Sequence, residues 1–108
     1  MNWKLPLWKP VVLAAALIVP ASSALSETLR LVTNWGTGSY SVARTLEFVK
    51  AFNASDAAKA ADIKIVHAGG PEVTPATQQL TGLSNGVFDM LFGAAGYYVG
   101  TVPESRAM

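Results

Sequence analysis

Two short apolar runs, set either side of a helix-length segment, restrict this chain more than any other feature. Ile63, Ile65 and Val66 form a run rich in β-branched residues, which suit a strand. Gly69, Gly70 and Pro71 end it, because glycine admits unusual backbone angles and proline lacks an N–H. The spacing predicts a helix over 73–83, with Pro75 in its first turn, where a missing N–H costs nothing. Asn85-Gly86 should close that helix through a left-handed residue. Val87 to Phe92 is a second apolar run, short enough for a buried strand. Gly93, Gly96 and the Tyr97-Tyr98 pair follow at its carboxyl end.

A similar pattern precedes this stretch. Glu27 to Trp35 reads as a strand, with apolar Leu29, Leu31 and Val32. Asn34 to Gly38 reads as a turn. Val42, Leu46, Val49 and Phe52 recur at helical spacing, so a helix is expected from Tyr40 to Phe52, with Ser39 as its N-cap. Asn53 to Ala61 is polar and small, suited to a surface connection or a frayed short helix. Asp62 introduces the Ile63 strand. The order is βαβαβ, which argues for an α/β fold with a parallel sheet and helical crossovers. In such sheets ligands gather at the carboxyl ends of the strands.

The first 26 residues follow a different logic. Lys4 and Lys9 give a basic start, Val11 to Val19 is uninterrupted apolar sequence, and Pro20 breaks it before Ala21 to Ser26. That is the three-part layout of a secretory signal peptide, and the apolar block is too short to span about 30 Å of hydrocarbon. Cleavage is expected after Ser26, with Ala24 as the other cut. The chain is 51% hydrophobic and 14% charged, but its N-terminus inflates the first figure. With Lys4 and Lys9 removed, six basic residues face seven acidic ones, so the formal net charge changes from +1 to −1. No basic cluster remains to attract nucleic acid. There is no cysteine, hence no disulfide and no lipid attachment; export without cysteine fits a bacterial periplasm.

Few residues offer chemistry. Gly36-Thr37-Gly38-Ser39-Tyr40-Ser41 approaches a dinucleotide-binding fingerprint, but Ser41 stands where the third glycine belongs. His67 stands about where the acidic residue belongs. The same loop can aim backbone N–H groups around Thr37 at an anion, or serve as a plain strand-to-helix turn. Glu72, at the expected helix start, suits either a capping role favoured by the helix dipole or ligand contact. Gln78 and Gln79 are expected at the surface. His67 is the sole histidine and reads as a packed or surface residue. No metal-ligand cluster, paired carboxylate or nucleophile elbow appears, so no catalytic or metal residue and no cofactor is expected. Asn53-Ala54-Ser55 matches a glycosylation sequon, of no expected consequence in a bacterium.

Three pieces of sequence resemble the substrate-binding proteins of tripartite ATP-independent periplasmic (TRAP) transporters, in their dicarboxylate-receptor branch. They are Gly69-Gly70-Pro71-Glu72, the Gln78-Gln79-Leu80…Gly86-Val87-Phe88-Asp89-Met90 pattern, and Tyr97 to Glu104. The resemblance runs from about Leu29 onward. It implies the first of two α/β lobes of a periplasmic receptor that is not an enzyme. Such a receptor captures a small organic acid and delivers it to membrane permease subunits. It also implies that Trp35, Tyr97 and Tyr98 border the ligand cleft, one tyrosine facing the cleft and the other the core; with Thr37 and Glu72, read above from their loops, these are the expected ligand-binding residues. The arginine that pairs with the ligand carboxylate in the family is expected beyond Met108, and residues 27–108 are expected to be a truncated N-terminal lobe. The alternatives are a small exported α/β enzyme, hydrolase-like, or a receptor of the sister TRAP family.

Overall fold

In the computed structural model the described residues are 25–108; the signal-peptide expectation therefore lies outside them, apart from Leu25 and Ser26. Strand β1 spans Glu27–Thr33, β2 spans Ile63–Gly69 and β3 spans Met90–Phe92. They form one parallel sheet in the order β2-β1-β3. Helix α1 (Tyr40–Ala54) and the short helix α2 (Asp56–Ala61) join β1 to β2. A 3-10 turn at Ala76–Gln78 and helix α3 (Gln79–Ser84) join β2 to β3. Two further 3-10 turns, Ala95–Tyr98 and Pro103–Ala107, follow β3. The expected βαβαβ order and parallel α/β class are both present.

Strand alternation divides the sheet into two faces. Leu31 lies opposite Met90, and Leu29 lies opposite Ile65. Leu31, Ile65 and Val49 of α1 form the buried cluster, with Leu29, Phe52, Met90 and Phe92 around it. Arg30, of opposite parity, reaches Gly86 O, just past α3, at 2.6 Å. Helix α3 therefore ends on the face opposite α1. Val32, on that second face, is fully buried.

Several boundaries differ from the sequence reading. Helix α1 runs on to Ala54, and Ser39 occupies its N-cap with no side-chain cap bond. The segment after Asn53 is a proper short helix, capped by Ser55 Oγ, which accepts from Ala58 N at 3.2 Å. Asp62 ends it in the left-handed region (φ 53°). The helix expected from Val73 is shorter, because the backbone of 70–74 is used in a turn: Val73 N donates to Gly70 O at 3.0 Å. Pro75 caps the 3-10 turn instead of lying inside a helix. Gly86 does take the left-handed conformation (φ 75°) after α3. Val87 and Phe88 are not strand. Both amides turn back to Gly82 O, and buried Phe88 packs against Gly82.

The sequon nitrogen is already committed. Asn53 Nδ2 donates to Ile65 O at 2.8 Å, so the Asn53-Ala54-Ser55 match has a structural use.

Candidate functional site

The loop leaving β1 leads to α1 on one face, and the loop leaving β2 leads to α3 on the other. The carboxyl end of β1 thus lies where connections diverge, the place where open α/β sheets form a crevice. Trp35 stands there, just past β1. Its ring meets Phe92 edge-on, with centroids 6.1 Å apart, and Tyr97 edge-on at 6.2 Å, both at 69°. These spacings and angles are those that aromatic quadrupoles favour. Tyr97 is 40% exposed. Trp35 and Tyr97 therefore form an accessible aromatic wall across the ends of β1 and β3.

The wall stands on a buried polar network. Asn34, next to Trp35, ends β1 with its N–H donating to Phe92 O at 2.9 Å. Its side-chain Oδ1 accepts from Ala94 N at 2.8 Å. Its Nδ2 donates to Gln79 Oε1 at 2.7 Å and to Tyr98 Oη at 2.6 Å. Gln79 Nε2 donates to Thr33 O and Thr74 O, both at 2.9 Å. Asn34, Gln79 and Tyr98 are all buried, so each bond replaces water that cannot reach these groups. Every side-chain N–H of the two amides is used. The network ties the ends of β1 and β3 to the start of α3. Gly93 is part of it by omission: a Cβ there would overlap the Asn34 carboxamide.

The second side of the rim is the loop after β2. Gly69 takes φ 132°, open to glycine, and the chain then turns through Gly70-Pro71. Gly70 passes close under Trp35; a Cβ on it would lie 2.8 Å from Trp35 O and 3.0 Å from Glu72 Oε2. Gly70 N donates to Glu72 Oε1 at 2.7 Å. That amide, then the backbone N–H of Glu72 itself, holds the carboxyl below the usual carboxylate range; slight burial opposes them and the charge of His67 assists. Glu72 does not start a helix, since the first helical turn begins at Ala76. The expected helix-dipole role is thus replaced by local backbone hydrogen bonds.

His67 has a definite partner. Its Nε2 lies 3.0 Å from Thr33 Oγ1. The Thr33 hydroxyl also lies 2.7 Å from Trp35 O, to which it donates. Thr33 is fully buried. This pair braces the backbone of Trp35 from below.

The structure brings Trp35 and Tyr97 together and seats Tyr98 beneath them. Of the two tyrosines, Tyr98 faces the core and Tyr97 the surface. Glu72 lies across Gly70 from the Trp35 backbone. Thr37 is exposed at the tip of a turn closed by Ser39 N to Gly36 O at 3.0 Å, away from any side-chain hydrogen bond. Gln79, expected at the surface, is instead fully buried. Asn34 and Gly93 carried no signal in the sequence beyond their position at strand ends. A separate apolar groove of about 590 Å³ lies between α1 and β3, lined by Leu31, Phe48, Met90 and Phe92 with Arg44 among them. None of the five expected cleft residues lines it. Among the described residues no group of three or more acidic, histidine or cysteine side chains could hold a metal.

The chain matches no known family model and no curated protein sequence.

Proposed function

We propose that this chain is lobe-forming sequence of a periplasmic solute receptor of the TRAP type, which takes up a small organic acid and passes it to a membrane permease. The observation that carries the reading is the Trp35–Tyr97 pair. It is an accessible aromatic wall at the carboxyl end of a parallel sheet, at the point where crossovers part to opposite faces. The sequence likeness at Gly69–Glu72, Gln78–Met90 and Tyr97–Glu104 adds to it. On this reading the wall packs on the carbon skeleton of the solute, and the Tyr97 hydroxyl is free to hydrogen-bond it.

Two arginines are engaged with carboxylates. Arg30 pairs with Asp89 at 3.0 Å, and Arg44 pairs with Glu47 at 2.7 Å and lies over the Tyr40 ring. As the family resemblance implies, the cation for the solute carboxylate comes from a second lobe that closes over the wall. Closure is driven by the tighter binding of solute to the closed form. The receptor performs no chemistry on its cargo.

The test is titration of the exported gene product with a panel of small organic acids, followed by calorimetry and tryptophan emission. Trp35 is the sole tryptophan beyond residue 8, so a cleaved signal leaves residues 27–108 with a single reporter. Saturable one-to-one binding of an acid is expected of the protein with both lobes present, whereas residues 27–108 alone should bind weakly or not at all. Absence of binding by the two-lobed protein across the panel, or hydrolase activity abolished by His67→Ala, would overturn the reading.

A further inference from the structure

We infer that Tyr98 is a positioning residue: its buried hydrogen bond from Asn34 sets the aperture between Trp35 and Tyr97, and so the solute shape that the wall accepts. The inference rests on the receptor reading given above.

The two wall residues are each one position from a member of the buried network. Trp35 follows Asn34, and Tyr97 precedes Tyr98. Tyr97 and Tyr98 lie in one 3-10 turn, where successive side chains point about 120° apart. When Tyr98 points inward, Tyr97 is obliged to point outward toward Trp35. The Asn34 Nδ2 to Tyr98 Oη bond, 2.6 Å long, joins the two neighbours of the wall across the interior. Asn34 cannot drift to follow Tyr98. Its Oδ1 is held by Ala94 N, its second Nδ2 proton by Gln79, and its backbone by Phe92. The turn after Tyr98, through Val99 to Thr101, is closed by local bonds to Tyr98 O, so no backbone bond to a strand fixes it there. The hydroxyl of Tyr98 is therefore the side-chain tie from Asn34 to this turn, beside a backbone tie in which Asn34 Oδ1 holds Ala94 N and Ala94 O accepts from Tyr97 N at 3.1 Å. Hydrogen bonds buried in this way are the strong ones, since water does not compete.

Tyr98→Phe removes that tie and little else, because the ring remains to fill its place. In the exported protein, we expect Tyr98→Phe to move Trp35 emission to longer wavelength and to raise its quenching by acrylamide about twofold. Nuclear Overhauser contacts between the Trp35 and Tyr97 rings should be lost. Affinity for the acid that binds the wild type should fall at least tenfold. Asn53→Ala serves as the control: it removes hydrogen bonds at the outer edge of β2 and should leave Trp35 accessibility and ring contacts unchanged. Wild-type emission, quenching and ring contacts in Tyr98→Phe would overturn the inference, and so would equal effects in Asn53→Ala. If Tyr98→Phe fails to fold, the wild type still decides. Fixed Trp35–Tyr97 ring contacts together with Asn34 Nδ2 protons at least a hundredfold protected from exchange support the tie, and freely exchanging Asn34 Nδ2 protons overturn it. The spectroscopic arms need no solute, so they separate failure of this inference from failure of the receptor reading.

Discussion

The Asn53 carboxamide pairs with both backbone groups of Ile65: Nδ2 donates to Ile65 O and Oδ1 accepts from Ile65 N, each at 2.8 Å. The amide and carbonyl of one strand residue point to the same side, and β1 lies on the other side of β2. The last residues of α1 therefore close the outer edge of β2 as a neighbouring strand would. Asn53→Ala should cost about 1–3 kcal/mol, because it leaves a partly buried donor and acceptor unpaired. For a domain of this size that is a fall in Tm of about 4–8 °C per kcal/mol, readable by calorimetry. Asn53→Asp should recover part of the loss, since its carboxylate still accepts from Ile65 N.

Gly93→Ala tests the close approach of β3 to Asn34. The added methyl meets the carboxamide that holds Ala94, Tyr98 and Gln79, so Asn34 has to move and its bonds lengthen together. Overpacking of a tight site costs about 1–3 kcal/mol, occasionally more. Urea unfolding should show the lower midpoint. Gly96→Ala, where a Cβ meets open space, should be close to neutral.

Gln79→Leu keeps the volume of the side chain and removes its polarity. It strands the carbonyls of Thr33 and Thr74 and one Asn34 N–H in a dry interior. Each unsatisfied group costs about 1–3 kcal/mol, and a domain has only about 5–15 kcal/mol in hand. The variant should be severely destabilised or unfolded by circular dichroism. An exposed change in the same helix, Thr81→Ala, should not be.

Stability should fall in acid through two carboxylates. The Arg30 side chain, then the Arg30 backbone N–H, holds Asp89 below its ordinary pKa, and backbone N–H groups do the same for Glu72. A depressed carboxyl binds fewer protons when folded than when unfolded. Its contribution is therefore complete above the unfolded value near 4 and is lost as pH drops through the folded value. Asp89→Asn should lower stability at neutral pH, and its difference from wild type should narrow below about pH 4. Urea midpoints measured from pH 7 down to pH 2 give the comparison.

The α/β class was legible because the sequence repeats one unit: an apolar run, a glycine-bearing turn, then residues at helical spacing. Leu31, Val49 and Ile65 are in the core as their spacing required. The family resemblance singled out Trp35 and Tyr97, and the fold brings their rings together after β1 and β3. What escaped was the polar interior. Gln79 looks like a surface residue if a helix starts at Val73, but the helix starts six residues later and Gln79 opens it. Whether a glutamine faces water or a stranded carbonyl depends on where Thr33 and Thr74 point, and only the folded backbone decides that. Val87 and Phe88 were misread for a related reason: an apolar pair returning to pack on Gly82 has the same composition as a strand.

The two borders of the sheet differ in kind. Asn53 finishes β2, while among the described residues β3 meets β1 on one side and no strand on the other. Phe48, 58% exposed, stands over the adjoining groove. Lateral growth of this sheet is thus one-way, and any strand joining it enters beside Met90–Phe92. For anyone handling the isolated polypeptide, that unshielded border is where molecules will stick to one another at high concentration, and a lysine at Leu91 is the first change to try against it.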